Sequence, residues 1–146
     1  MIRFISRAAA LAAIVILCGC SRTHFEKLPD AQVDQSQKAA AEAWATGILR
    51  AWAQDQYPLP GNELSEEMKP GQSEAHQKDS DKGIESDFGD FKSMSYVETR
   101  VSDPARFVIY RFHGTFTKSD QTEVRMVYDL DGKIDGFWIK VWRDSM

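Results

Sequence analysis

Cysteine is nearly absent from this chain: Cys18 and Cys20 stand two apart near the amino terminus and no other follows. Residues 21–146 therefore hold neither a disulfide nor a cysteine metal site, and their fold has to stand on a packed core. Histidine is scarce too, with His24, His76 and His113 spread along the sequence. Only His113 falls in a segment that reads as regular structure, and no second His stands at ligand spacing, so no metal centre and no Ser/His/Asp set is implied. There is no glycine-rich phosphate loop, and no cofactor is called for. The longest apolar run, Ala8–Leu17, is ten residues and too short to span a bilayer. A formal net charge of −4 argues against nucleic acid as a partner.

What the chain does have begins with an address. Met1–Arg7 carries two positive charges and leads into that apolar run, the pattern of a secretory signal. Leu17-Cys18-Gly19-Cys20-Ser21 then resembles the lipobox of bacterial lipoproteins, with Cys18 in the place usually held by Ala or Ser. The resemblance implies a signal peptide of residues 1–19, cleavage before Cys20, and a diacylglyceryl group on its thiol with an acyl group on its amine. The membrane is then a partner through the N-terminal lipid. At about 0.8 kcal/mol for each buried methylene, two or three such chains hold a protein effectively permanently. In lipoproteins of this type Ser after the Cys goes with sorting to the outer membrane, which here means facing the periplasm.

Without Arg3 and Arg7 the charge becomes −6, and its distribution says more than its sum. Residues 20–59 carry −1, residues 60–91 carry −6 and residues 92–146 carry +1. Residues 20–30 read as a polar tether, and residues 31–146 as one domain. Good helix formers begin at Ala31, with Asp34 or Ser36 able to cap. Ala41, Trp44, Ala45, Ile48, Leu49 and Trp52 recur at spacings of three and four, an apolar stripe in which the two tryptophans read as core. Gly47 in that helix suggests close packing, and Pro58 and Pro60 end it. Residues 60–91, rich in Gly, Ser, Asp and Glu, read as an acidic mobile loop without EF-hand spacing.

Beyond Phe91 the period changes to two. Strands are expected over Lys92–Val101 and Arg106–Thr117, followed by a hairpin within Val124–Trp142. Asp131-Gly132 suits a two-residue type I′ turn, which pairs Met126 with Phe137, Val124 with Ile139, Arg125 with Trp138 and Glu123 with Lys140. One face then collects Val97, Val108, Tyr110, Phe112, Phe116, Val124, Met126, Tyr128, Leu130, Phe137, Ile139 and Val141 as the bed for the helix. The expected fold class is α+β, with one long N-terminal helix packed on a four-stranded antiparallel meander.

In Val124–Tyr128, Asp131–Ile134 and Gly136–Val141, and in Phe88-Gly89 leading into Lys92-Ser93, the domain resembles small bacterial secreted domains of the cystatin-like or nuclear transport factor 2-like group. The likeness covers roughly Ala31–Trp142 and implies a fold more than an activity. Enzymes of the larger group often use an Asp/His pair under several helices; this chain offers one solid helix and no such pair, so no catalytic residue carries over.

The opposite sheet face is expected to gather Met94, Tyr96, Glu98, Arg100, Phe107, Ile109, Arg111 and His113 with Glu123, Arg125, Val127, Ile134, Trp138, Lys140 and Trp142. From these, Tyr96, Arg111, His113, Arg125, Trp138, Lys140 and Trp142 are the candidate binding residues, with Tyr96 beside Arg111, Arg111 beside Asp129 and Arg125 beside Trp138. The plain alternative is a set of ordinary cross-strand pairs on a solvated or loop-covered face; in one version the acidic loop folds back over Arg100, Arg111, Arg125 and Lys140. Two functions follow. One is a non-catalytic envelope lipoprotein whose sheet face meets a protein or small apolar ligand, an inhibitor or immunity role included. The other is a small-molecule enzyme or carrier with a pocket between helix and sheet around Trp44, Tyr110 and Tyr128.

Overall fold

The computed structural model describes residues 23–104 and 106–146; the segment expected to be a signal peptide, and Cys20, lie outside the described residues. Among these, Asp34 caps the first helix, its carboxylate accepting from the backbone N–H groups of Ser36 at 2.9 Å and Gln37 at 3.0 Å. That helix, α1, is Gln35–Trp52 and buries Ala41, Ala45, Ile48, Leu49 and Trp52, as the stripe requires. It stops at Trp52, well before the prolines. Gly47 is not a close-packing site, since a Cβ there would meet nothing within 4 Å.

The sheet has five strands rather than four, in the order β1-β2-β3-β4-β5 and antiparallel throughout. They are β1 His24–Lys27, β2 Phe91–Asp103, β3 Val108–Phe116, β4 Thr122–Tyr128 and β5 Ile134–Val141. The extra strand comes from the expected tether: β1 pairs with the end of β2, setting Phe25 opposite Ser102 and Lys27 opposite Arg100. Four residues with one apolar side chain carry too little pattern to announce a strand, and a short charged edge is what limits unwanted pairing at a sheet border.

The acidic segment is also more ordered than its composition suggests. A second helix, α2, spans Glu74–Asp87, capped by Ser73. Its composition is polar because it buries almost nothing except Gln77. Gln77 receives the Trp52 indole N–H at 2.9 Å and donates to the carbonyls of Pro58 and Gln72 at 2.7 and 2.9 Å, tying α2 to the end of α1. Upstream, the Ser65 N–H donates to the Ile134 carbonyl and the Ile134 N–H to the Glu63 carbonyl, covering the start of the β5 edge.

Both helices lie on one side of the sheet. Between α1 and the strands, Tyr110, Phe112, Val124 and Met126 are wholly buried. Phe137 is clasped by Trp44 and Trp52 at ring distances of 5.4 and 6.1 Å. Tyr110 meets Tyr128 edge to face at 5.7 Å and donates its hydroxyl to Gln37 at 2.8 Å. Burial pushes the Tyr128 hydroxyl up to about 12. Tyr110 and Tyr128, around which a pocket was expected, are themselves buried, and a hollow of about 260 Å³ lies beside Trp44, lined by Gly47, Ile48, Pro58 and Leu64.

From Val127 outward the β4–β5 pairs are those expected, yet the turn is different. Gly132 alone is left-handed, at φ 74°, and it donates to Asp129 across a three-residue loop, Leu130–Gly132. The Asp129 carboxylate accepts from the N–H groups of Asp131 and Lys133 at 2.9 and 2.8 Å. The loop's additional residue shifts the pairing by one, setting Tyr128 opposite Ile134. Asp135, an unpaired bulge, then restores it, so that Val127 faces Gly136. Leu130 thus sits exposed at the tip and Ile134 turns inward, each against expectation.

Candidate functional site

The face turned away from the helices starts from another bulge. In β2, Tyr96 pairs with Phe112 but Glu98 pairs with Arg111, leaving Val97 as an extra residue. A one-residue insertion exchanges faces. Tyr96 and Met94 therefore join the core, against expectation, where Tyr96 packs on Phe112 at 6.0 Å under the Lys38 ammonium. Val97, in turn, is 40 % exposed and Val141, at the far end of β5, 58 %, both against expectation. Tyr96 is not beside Arg111, and Arg111 is not beside Asp129; in register, Arg111 stands between Glu98 and Arg125.

That register makes a charge ladder across three strands. Arg111 is 1 % exposed and Glu123 wholly buried. The two meet through a bidentate pair, Nε to Oε1 at 2.9 Å and Nη2 to Oε2 at 3.1 Å. Arg111 also donates through Nη1 to Glu98, and through Nη2 to the Arg143 carbonyl at 2.5 Å. Arg100 Nε closes on Glu98 and Arg125 Nε on Glu123, each at 2.7 Å. The carboxylates come from the sheet itself, not from the acidic segment. Burial raises the pKa of Glu98 and Glu123, but hydrogen bonds from Arg100, Arg111 and Arg125 outweigh it and hold both below the ordinary carboxylate value. Burial alone would lower Arg111; its bonds to Glu123 and Glu98 raise it instead.

The chain beyond β5 caps this ladder. Trp142 lies 4.4 Å over the Arg111 guanidinium and meets the His113 ring edge to face at 5.4 Å. Its indole N–H donates to Asp144 at 3.0 Å. Arg111, His113 and Trp142 are thus engaged with one another, as structural parts of a closed assembly.

The other half of the face is open. Arg125 stands opposite Trp138, as expected. Among the described residues, the Arg125 terminal nitrogens have no hydrogen-bond partner, and Lys140 has only a long ion pair to Glu123, at 3.9 Å. Trp138 is half exposed, its ring lying flat over Gly136, where a Cβ would come within 1.9 Å of the indole. Phe25, Phe107, Ile109 and Val127 complete an apolar groove of about 310 Å³ with Trp138, bordered by Arg125, Lys140 and Asp135. This is the lower end of the size range of small-molecule sites. Lys140 is held below the usual lysine value, by burial first and then by repulsion from Arg125, Arg111 and Arg143.

Of the seven sequence-derived candidates, then, Arg125, Trp138 and Lys140 border the groove, Arg111, His113 and Trp142 belong to the ladder, and Tyr96 is in the core. Phe25 and Lys27 were missed because they come from the segment read as tether. The alternation of Phe25 with His24 and Glu26 was the only signal available. Comparison with family models, with curated proteins and with solved structures finds no match to this chain.

Proposed function

We propose that this chain is a non-catalytic lipoprotein of the bacterial envelope, carried by lipid on Cys20 in the outer membrane and facing the periplasm. Its outer sheet face then serves as a binding surface for a protein or small apolar ligand. The reading rests on the division of that face. Groups that serve only the fold are satisfied, as Arg111 and Glu123 are, whereas Trp138, Lys140 and the Arg125 terminal nitrogens surround an apolar groove with little in the protein to hold them. Tryptophan and arginine around a desolvated centre is the composition of interaction hot spots. An inhibitor or immunity role is one form that such a binding face would take.

Two measurements test it. Labelled palmitate fed to cells is expected on the parent chain and absent from Cys20→Ser; equal labelling of both would remove the anchor. In a pull-down from envelope extract, Trp138→Ala and Arg125→Ala are expected to keep the circular dichroism of the parent and to lose its specific partner. Equal recovery by mutant and parent would reject the face.

A further inference from the structure

The groove and the predicted anchor are close in the chain. Phe25 lies five residues beyond Cys20, which spans at most about 18 Å whatever path the chain takes. Because β1 is part of the sheet, that short connection fixes the β1 edge, and the groove Phe25 lines, near the bilayer surface. β1 takes up part of the segment that the sequence reading gave to a short tether.

The charge of this face differs from that of the molecule. Among the described residues, Lys27, Arg100, Arg111, Arg125 and Lys140 are in contact with only two carboxylates, Glu98 and Glu123. A surplus of cations remains there in a protein of net negative charge; acids of α2 and its flanks stand only at the margin, Asp79 and Asp87 sharing a hollow with Trp138 at the β5 edge and Glu67 one with Phe107. Among the described residues, Asp135 is the one carboxylate bordering the groove; it accepts the Ser65 hydroxyl at 2.6 Å and lies on the side of Trp138 away from Lys140. The groove therefore has an apolar floor and a cationic end. A headgroup phosphate there would meet the Arg125 terminal nitrogens and the Lys140 ammonium, and an acyl chain would lie across Trp138, Val127 and Ile109. Tryptophan at such a boundary suits a membrane interface, where one end of its ring is apolar and the other wet.

We infer that the groove bordered by Arg125, Trp138 and Lys140 takes an anionic phospholipid of the membrane that carries the chain. This rests on the proposal that the outer face is a binding surface, and names its occupant.

The test is calorimetric titration of the full mature chain as Cys20→Ser, with single-chain probes below their micelle concentration. Myristoyl lysophosphatidylglycerol is expected to bind at least 10-fold more tightly than myristoyl lysophosphatidylcholine, and glycerol phosphate, which has the anion but no chain, at least 100-fold more weakly than the first. Lys140→Met and Arg125→Met should weaken the anionic lipid far more than the zwitterionic one, whose choline already offsets its phosphate, and so abolish the 10-fold difference between them. Equal binding of the two lipids, binding of glycerol phosphate alone, no binding, or selectivity untouched by both methionine variants would each overturn the inference. If the lipid fails while the Trp138-sensitive pull-down persists, only the occupant is wrong; if both fail, so is the face.

Discussion

Phe112 and Arg111 are neighbours in β3, point to opposite sides of one sheet and are equally hidden from water, at 0 % and 1 % exposure. Phe112 needs only shape: it packs among Tyr96, Val124 and the underside of α1, and any apolar group of its volume would keep most of its contribution. Arg111 needs partners. Every bond that Arg111 donates to Glu98, Glu123 and the Arg143 carbonyl compensates for taking a full charge out of water, and the net gain is small while the cost of losing one partner is large. The inner face is thus tolerant in composition and the ladder half of the outer face intolerant, although both are equally buried.

The largest effect should come from breaking the ladder at its centre. Arg111→Ala leaves Glu98 and the buried Glu123 short of their main partner and is expected to destabilise the fold by about 3–5 kcal/mol in urea unfolding. Phe112→Ala should cost a similar amount through the cavity it opens. The two differ in rescue. Replacing Glu98, Arg111 and Glu123 together by Leu, Met and Leu removes the charges with their partners, and the triple variant should return to within about 1 kcal/mol of the parent. A triple variant as unstable as Arg111→Ala would show that the ladder contributes net stability, and the contrast between the faces would then fail.

How much of this was legible beforehand follows from the same contrast. The inner face depends on period, and period was readable: the α1 stripe and the alternation in β3 and β4 placed Ala41, Trp52, Phe112, Val124 and Met126 in the core. Single-residue insertions are invisible to period. The bulge at Val97 turned Tyr96 inward and brought Glu98 opposite Arg111, so the ladder was hidden even though its members had been placed near one another. In the last hairpin two such insertions cancelled, the longer loop at Leu130–Gly132 and the bulge at Asp135, leaving the outer pairs Arg125–Trp138 and Glu123–Lys140 correct with the wrong turn between them. Polar α2 had no stripe to find, because one glutamine, Gln77, makes its main buried contact.

Acid should separate the faces next. Glu98 and Glu123 titrate in the folded protein below their ordinary value of 4.5. A carboxylate with a depressed folded pKa adds stability that is fully present above the unfolded value and is lost as pH falls through the folded one. The urea midpoint of the parent should therefore decline steeply below about pH 4.5, the ordinary carboxylate value. The triple apolar variant, having lost both groups, should decline less over the same interval. Parallel acid profiles would place the sensitivity elsewhere, in the acids of α2 and its flanks.

The smallest effect on stability belongs to the open half of the outer face. Lys140 holds no hydrogen bond among the described residues, and its contact with Glu123 is long, so Lys140→Met should change the unfolding free energy by no more than about 0.5 kcal/mol. Trp138→Ala removes a half-exposed ring from Gly136 and should cost about 1 kcal/mol, well under the price of a core tryptophan. Side chains this large and this little needed by the fold are the ones free to be kept for a ligand. Should Lys140→Met or Trp138→Ala instead unfold the domain as Arg111→Ala does, the groove would be a continuation of the ladder, and the outer face would have one role rather than two.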